Sequence, residues 1–334
     1  MASPIPIIDI APISTDNRTD RANDTIEQIR RACHEWGFFQ IVNHGVAPTL
    51  IRSVWNNAQA FFALPHKDKL AIARTKVNPR GYYDRELTKN RRDLKEVFDY
   101  GLNPSPDRSS TTNGDRALIT SVNQWPNALR TFRPTLLAYF TDCERIAFRL
   151  LAALCITLDL PRDCLAPYFQ RGHTSFARLN YYPLTDPLDQ PDILSTPALG
   201  DQALHHHTDA GALTLLLQDP VGGLQVQTHD GWFDIEPIAD ALVVNVGDMM
   251  QVWSNDRYPA AVHRVRPVTT RPRYSIPFFF NPNYDTDYAP LPTPDSGAPR
   301  YRTINWGEFR RARADGDYAD VGHEIQVADF RLRS

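Results

Sequence analysis

The chain of 334 residues has the composition of a globular protein, with 42% apolar and 22% charged residues. Its 36 basic and 39 acidic residues nearly balance, for a formal net charge of −3, so composition gives no sign of a nucleic-acid partner. No apolar run reaches the ~18 residues of a membrane-spanning helix, and the N-terminus lacks the pattern of a signal peptide. We therefore expect a cytoplasmic protein that contacts no membrane and needs no obligatory protein partner.

The four cysteines are scattered along the chain without a CxxC pair. Three of them fall in segments with helical periodicity. This arrangement favours buried free thiols in a reducing compartment over a disulfide framework.

The first half of the chain is predicted to be mainly helical. Apolar residues recur at helical spacing over residues 22–33, 50–62 and about 128–158, and Pro134 is a candidate kink in the last of these. Short strands are predicted within residues 4–13 and 37–46, and His44, in the turn after the second strand, is interpreted as structural. Residues 104–114 have the composition of a loop.

The second half is predicted to be mainly strands. From about residue 174, short runs rich in β-branched and aromatic residues alternate with Gly, Pro, Asn and Asp turns. Many short strands at this spacing are typical of a sandwich or barrel. Residues 184–200 and 282–299 read as loops, and helix returns after about Asn305.

Residues 205–209, HHHTD, place three histidines and an aspartate within five positions. On a strand, His207 and Asp209 point to the same face, which His205 shares, while His206 points away. Two histidines and a carboxylate form the facial triad of non-haem Fe(II) oxygenases, although the same ligands suit other divalent ions. Most isolated HxD tripeptides are incidental, so a third ligand is needed from elsewhere.

The histidines downstream are His229, His263 and His323. His263 lies in the strand-like run AAVHRVR, whereas His229 lies in a turn-like segment and His323 in the tail.

Several motifs, in order, resemble those of the 2-oxoglutarate- and Fe(II)-dependent dioxygenases related to isopenicillin N synthase. The segment that starts at His207, HTDAGALTLLLQD, is similar to the first metal motif of that family. The segment that starts at Gly247, GDMMQVWSNDRYPAAVHRV, is similar to the second metal motif. RPRYSIPFFFNP, starting at Arg271, resembles the Arg-x-Ser co-substrate motif. IPIIDIAP and HEWGFFQIVNHGV resemble the N-terminal region, so the likeness runs from about residue 5 to about residue 310.

The resemblance implies a role for seven residues. It assigns His207, Asp209 and His263 as iron ligands. Arg273 and Ser275 would hold the distal carboxylate of 2-oxoglutarate, for which a planar guanidinium is suited. Asn180 and Tyr182 match positions that also contact this co-substrate.

The resemblance also implies the fold. We expect a mixed α/β (α+β) protein with a double-stranded β-helix, or jelly-roll, core flanked by helices from the N-terminal half. The predicted parts are an N-terminal region (1–115), a catalytic core with its supporting long helix (116–310) and a tail (311–334), best treated as one compact unit.

The implied function is an Fe(II)/2-oxoglutarate-dependent oxygenase that uses O2 to oxidise a C–H bond of a small organic molecule. Hydroxylation, desaturation and ring formation all remain open, and succinate and CO2 are the co-products. An apolar or aromatic secondary metabolite is the expected substrate. The alternatives are a family oxidase that does not use 2-oxoglutarate, either isopenicillin N synthase-like or ethylene-forming, and a non-catalytic binding module.

The pocket around the site is expected to be largely aromatic and apolar. His205 is interpreted as a wall residue rather than as support for the iron ligands, and Lys95 and Glu96 either contact the pocket or pair with each other. The candidate substrate-contacting residues are Tyr82, Phe98, His205, Leu216, Phe279 and Phe280.

Overall fold

The computed structural model describes residues 5–14, 19–75, 77–88, 91–101, 121–170, 172–189, 199–294, 297–318 and 325–332. Its α-helices are α1 (Asp20–Glu35), α2 (Pro48–Phe62), α3 (His66–Leu70), α4 (Phe132–Thr157), α5 (Asp248–Trp253) and α6 (Trp306–Tyr318). The predicted loop at residues 104–114 lies outside the described residues. In the described part of the chain, no helix combines the length and apolar character needed to cross a membrane.

The strands before the long helix are β1 (Ile7–Asp9), β2 (Phe38–Val42), β3 (Gly81–Tyr83), β4 (Leu87–Thr88), β5 (Arg91–Arg92) and β6 (Glu96–Gly101). Those after it are β7 (Phe176–Tyr182), β8 (Leu204–His207), β9 (Leu213–Gln218), β10 (Leu224–Thr228), β11 (Gly231–Asp234), β12 (Leu242–Val246), β13 (His263–Val265), β14 (Arg273–Phe280), β15 (Asp287–Tyr288) and β16 (Ile304–Asn305).

The helices α1, α2, α4 and α6 form where the sequence predicts helices, with somewhat different ends, whereas the short helices α3 and α5 were not predicted. α1 begins after Thr19, whose side-chain oxygen accepts a hydrogen bond from the Ala22 amide at 3.1 Å. α4 begins at Phe132, so Pro134 lies in its first turn. A proline there removes no intrahelical hydrogen bond. The expected kink at Pro134 is therefore wrong, and the residue instead marks the start of the helix.

Two sheets face each other across the molecule. The larger has eight strands in the order β1-β2-β12-β9-β14-β7-β6-β3, and the smaller has four in the order β11-β10-β13-β8. Pairing is antiparallel throughout these two sheets, except between β1 and β2. Strands from the N-terminal region complete the larger sheet, and the predicted boundary at residues 115 and 116 lies outside the described residues.

The larger sheet separates two apolar layers. In β9, Leu215 and Leu217 belong to the cluster that packs against α1, α2 and α4, whereas Thr214 and Leu216 face the space between the sheets. This alternation matches the period of two expected for a strand. The interior between the sheets is therefore lined by every second residue of β7, β9 and β14.

Candidate active site

Three side chains with metal-binding atoms meet between the two sheets. His207 ends β8 and His263 begins β13, and the two are directly paired across these strands. Asp209 lies two residues beyond β8. Its Oδ1 is 3.7 Å from His207 Nε2 and 3.8 Å from His263 Nε2, and the donor atoms of all three lie within 4.8 Å of one another.

Main-chain carbonyl groups set the orientation of both imidazoles. His207 Nδ1 is 2.8 Å from the His205 carbonyl oxygen, and His263 Nδ1 is 3.1 Å from that of Ala261. Because a carbonyl oxygen only accepts, each Nδ1 donates a proton, and Nε2 is the nitrogen of each ring that is directed at Asp209 and can bind a metal. Desolvation lowers the pKa of His207 to about 3, and the neighbouring His263 adds to this effect. His207 is therefore neutral near pH 7, as a metal ligand must be.

Asp209 has one oxygen committed to the protein and one directed at the histidines. Its Oδ2 accepts hydrogen bonds from Thr214 Oγ1 at 2.5 Å and from Asn245 Nδ2 at 2.8 Å. Burial alone would raise the pKa of Asp209, but the two histidines and these two hydrogen bonds hold it below its usual value. Two imidazoles and one carboxylate fit a divalent iron ion with open coordination positions.

The backbone around Asp209 is fixed by close contacts with the turn before α5. The Asp248 amide donates to the Asp209 carbonyl at 2.7 Å. A Cβ atom at position 247 would lie 2.2 Å from the Gly211 carbonyl oxygen, so only glycine fits there. Arg313 of α6 also donates to the Thr208 carbonyl at 3.1 Å. These supports were not predicted from the sequence. Of the two side chains that donate to Asp209, only Asn245 carries a signal, because it is a lone polar residue in the apolar run ALVVNV.

A buried cation lies on the larger sheet in the same cavity. Arg273 on β14 is fully buried and pairs with Tyr182 on β7, while Ser275 pairs with Asn180. Arg273 Nη1 donates to Ser275 Oγ at 3.2 Å, and its Cζ lies 4.9 Å from the Tyr182 ring centroid. These four residues therefore form one compact group.

The Arg273 guanidinium has unused donors. The Nε and Nη2 atoms of Arg273 are buried and have no hydrogen-bond partner among the described residues. No carboxylate oxygen of the described residues lies within 4.0 Å of the guanidinium nitrogens. Ser275 Oγ also accepts from Asn180 Nδ2 at 3.3 Å, which leaves its own O–H free to donate. A buried cation with unpaired N–H groups is costly, so this group fits an anionic ligand.

Comparison with known proteins decides the family. A family model described as the 2OG-Fe(II) oxygenase superfamily matches residues 173–282, and one described as non-haem dioxygenase in morphine synthesis N-terminal matches residues 5–128. The 2-oxoglutarate-Fe(II) type oxidoreductase hxnY of Emericella nidulans is 36% identical over 294 residues, which cover 84% of this chain and 80% of that protein. The chain belongs to the 2OG-Fe(II) oxygenase superfamily.

Two further relatives agree. Clavatol oxidase claD of Penicillium crustosum is 33% identical over 306 residues, covering 86% of this chain and 88% of that protein. The crystal structure of JOX2 in complex with 2OG, Fe and JA matches with a TM-score of 0.75 at 29% identity, covering 92% of this chain and 84% of that one. The predicted family and the jelly-roll fold are confirmed, and the oxygenase uses Fe(II) and 2-oxoglutarate.

The oxygenase encloses a cavity of about 230 Å³ between the two sheets. All three residues of the His-Asp-His group line it, as do the four around Arg273. Of the candidate substrate-contacting residues, Leu216 and Phe279 also lie on its wall.

Three aromatic candidates lie elsewhere, and their placement is corrected. The Phe280 ring stacks on Phe169 at 4.2 Å between centroids, and the Phe98 ring packs against Phe61 at 4.8 Å. The Tyr82 hydroxyl donates to buried Glu96 at 2.6 Å. All three are buried on the helix side of the larger sheet. Each belongs to a strand whose alternate residues face the opposite layer, and the sequence did not show which set faces inward.

His205 does not line the cavity, which corrects its placement as a wall residue. Leu204 and His207 pair with Val265 and His263, so three residue steps in β8 face two in β13. This bulge breaks the alternation and turns the His205 ring towards Asp93, with Nδ1 and Oδ1 2.8 Å apart. His205 contributes to the site through its carbonyl group instead.

The remaining polar candidates have ordinary structural partners. Lys95 pairs with Glu86 at 2.8 Å, whereas Glu96 pairs with Lys69, so Lys95 and Glu96 do not pair with each other. His44 contacts the Asp240 carbonyl at 2.7 Å, which supports its structural interpretation. His206 and His229 are exposed, and His323 lies outside the described residues.

Proposed function

We propose that this oxygenase oxidises a C–H bond of a small metabolite at an Fe(II) ion held by His207, Asp209 and His263. The observation that carries the proposal is the juxtaposition, in one cavity, of this group and the buried Arg273, whose Nε and Nη2 atoms have no hydrogen-bond partner among the described residues. One site fits a divalent metal and the other fits a carboxylate, as an Fe(II)/2-oxoglutarate enzyme requires.

When bound, Fe(II) would supply the redox chemistry that converts 2-oxoglutarate to succinate and CO2 with one oxygen atom of O2, while the second oxygen atom either enters the substrate or leaves as water with two hydrogen atoms of the substrate. The protein supplies ligand orientation and charge. Asp209 keeps its negative charge because Thr214 and Asn245 donate to it, and His207 stays neutral. The Arg273 fork binds the distal carboxylate, with the Ser275 hydroxyl as a further donor.

Use of 2-oxoglutarate is favoured over the alternative family oxidases by the same cluster. Asn180 Oδ1 is buried without a hydrogen-bond partner among the described residues, beside Ser275 and near the unpaired Arg273 donors. So many unpaired polar groups in one place are rare in a folded protein unless a ligand binds there. A non-catalytic binding module would not need this cluster next to a metal site.

The cavity volume favours a small molecule as substrate, and we propose a secondary metabolite. Relatives named clavatol oxidase and JOX2, the latter crystallised with JA, support a small organic substrate. We also propose a reducing, cytoplasmic location, since all four cysteines are free and three of them are buried.

The test is anaerobic reconstitution with Fe(II) and 2-oxoglutarate, followed by addition of O2 and a metabolite mixture. We expect succinate to form together with products that are heavier by one oxygen or lighter by two hydrogens in mass spectra. Asp209→Ala is the matched control, and it should abolish both signals. Oxidised product without succinate would favour the alternative oxidase, and iron binding without turnover of any substrate would favour the binding module.

A further inference from the structure

A buried aspartate outside the His-Asp-His group holds the residue whose carbonyl group orients His207. Asp93 lies between β5 and β6, 112 residues before His205, and is fully buried. Its Oδ1 accepts a hydrogen bond from His205 Nδ1 at 2.8 Å and another from the His205 main-chain amide at 3.3 Å. One carboxylate oxygen therefore holds both the side chain and the backbone of the same residue.

The second oxygen of Asp93 is bound on the opposite side, which keeps the carboxylate from turning away from His205. Thr88 Oγ1 donates to Oδ2 at 2.8 Å, and Lys95 Nζ lies 3.1 Å from the same oxygen. Each oxygen of Asp93 thus faces two donors, and this offsets the cost of burying the charge. Lys95 also pairs with Glu86, and both of these residues line the cavity. Asp93 therefore connects the cavity wall to His205.

The His205 ring is closely enclosed. A Cβ atom at position 200 would lie 2.0 Å from Cε1 of this ring, so a glycine is needed beside it. On the outer side, Asp201 Oδ1 is 3.4 Å from His205 Nε2, but the Asp201 side chain is 79% exposed, so solvent weakens this pair. Among the described residues, Asp93 is therefore the main polar partner that fixes the ring.

The grip on His205 extends to His207 through the backbone of β8. The His205 carbonyl group accepts from His207 Nδ1 at 2.8 Å, and the bulge in β8 lies at this point. In the described part of the chain, β8 is also the last strand of the smaller sheet, so strand pairing holds it from one side only. A bulged strand at the edge of a sheet has fewer main-chain hydrogen bonds than an inner strand. The two bonds to Asp93 supply an additional anchor where β8 most needs one.

We infer that Asp93 is a positioning residue for the iron site: by holding His205, it fixes the carbonyl group that directs His207 Nε2 towards the metal. This inference rests on the proposed function of the His-Asp-His group. Neither Asp93 nor His205 belongs to that group, so both act through His207. Removing a partner that orients a metal-bound imidazole typically lowers metal affinity by about ten- to a hundredfold.

A matched pair of substitutions at position 205 tests the bond between Asp93 and the ring. Asparagine places its Nδ2 where histidine has Nδ1 and can still donate to Asp93, whereas leucine has nearly the shape of asparagine but no donor. Co(II) affinity is measured by competition with a chelator, and the ligand-field absorption spectrum of bound Co(II) reports the geometry of its ligands. We expect His205→Leu to bind Co(II) about tenfold more weakly and with an altered spectrum. His205→Asn should recover most of the affinity and the wild-type spectrum.

A double-mutant cycle tests whether Asp93 acts through His205. Asp93→Ala alone should weaken Co(II) binding by at least about tenfold, and adding His205→Leu should weaken it no further, because both changes break the same connection. Two independent effects would instead multiply to about a hundredfold loss. If Asp93→Ala does not fold, Asp93→Asn replaces it: the amide oxygen turns to Lys95, which leaves an NH2 group facing the His205 amide.

His173→Leu is the matched control for a general loss of stability. His173 Nε2 is 2.7 Å from Glu144 Oε1, so it is another buried imidazole paired with a carboxylate, but His173 does not line the cavity. This variant should unfold at a lower temperature and still bind Co(II) with the affinity and the spectrum of the wild type.

Wild-type Co(II) affinity and spectrum in a folded His205→Leu protein would overturn the inference. So would a multiplied loss in the double variant, an equal loss in His173→Leu, or a His205→Asn protein that binds Co(II) as weakly as His205→Leu. The proposed function fails on a separate result, namely a wild type that binds neither Co(II) nor Fe(II), or that forms no succinate from 2-oxoglutarate.

Discussion

Replacing Arg273 by lysine tests the co-substrate site with the least change in charge. In the free protein, Arg273 Nε and Nη2 are buried and have no hydrogen-bond partner among the residues that the structure describes, so both are available to a carboxylate. Lysine keeps the positive charge but offers a compact ammonium group in place of the planar fork. Losing one charge-assisted hydrogen bond costs about 1.5–3 kcal/mol, so the KM for 2-oxoglutarate should rise about ten- to a hundredfold.

The assay is the 2-oxoglutarate dependence of succinate formation, with direct calorimetric binding as a second measurement. Arg273→Met should weaken binding further, because the charge is also lost. Since the unpaired guanidinium is a cost in the free protein, Arg273→Met should unfold at no lower temperature than the wild type without 2-oxoglutarate. At 100 times its dissociation constant, 2-oxoglutarate should stabilise only the wild type, by about 2.7 kcal/mol. An unchanged KM in Arg273→Lys would refute this role.

Three further changes test the supports around the site. Asn245→Leu removes a hydrogen bond to Asp209, so Co(II) affinity, measured by competition with a chelator, should fall by about ten- to a hundredfold; unchanged affinity would contradict this role. Arg313→Met removes the bond to the Thr208 carbonyl. We expect a lower unfolding temperature and weaker Co(II) binding with an unchanged affinity for 2-oxoglutarate, and a loss of 2-oxoglutarate affinity alone would contradict this. Glu86→Gln leaves three buried cations without their shared carboxylate, so urea unfolding at pH 7 should show a loss of about 3–5 kcal/mol, and a neutral effect would refute the network.

The pH dependence of the last variant has a definite sign. Burial would raise the pKa of Glu86, but Arg178, Lys95 and Arg74 outweigh it and hold the pKa well below its usual value. A carboxylate with a lowered folded-state pKa stabilises the protein above its unfolded pKa of about 4.3, and this contribution is lost as the pH falls towards the folded value. The difference in stability between wild type and Glu86→Gln should therefore shrink only below about pH 4. A difference that shrinks instead between pH 6 and 8 would contradict this explanation.

Sequence motifs could predict the residues that meet at the site, but not how they meet. His207 and Asp209 were expected to share a face of one strand, yet β8 ends at His207. Asp209 is held instead by the turn before α5, where only glycine fits at position 247. The bulge in β8 has no signal in the sequence and is the reason that His205 was misplaced.

The pocket could be predicted only in part for a related reason. Adjacent aromatic residues such as Phe279 and Phe280 face opposite layers of the sheet, and no feature of the sequence shows which of them faces the cavity. Two of the arginines that line the cavity come from positions 80 and 310, and neither belongs to a motif. Contacts this distant along the chain depend on the packing of α6 and the turn before β3, which local periodicity does not encode.

Anaerobic Fe(II) titration of the wild type and of His263→Ala tests the central claim most directly, because His263 is the ligand that comes from a separate strand. We predict one tightly bound Fe(II) per wild-type chain and loss of this binding in the variant, with the fold retained by circular dichroism. A folded His263→Ala protein that binds one Fe(II) as tightly as the wild type would contradict the account.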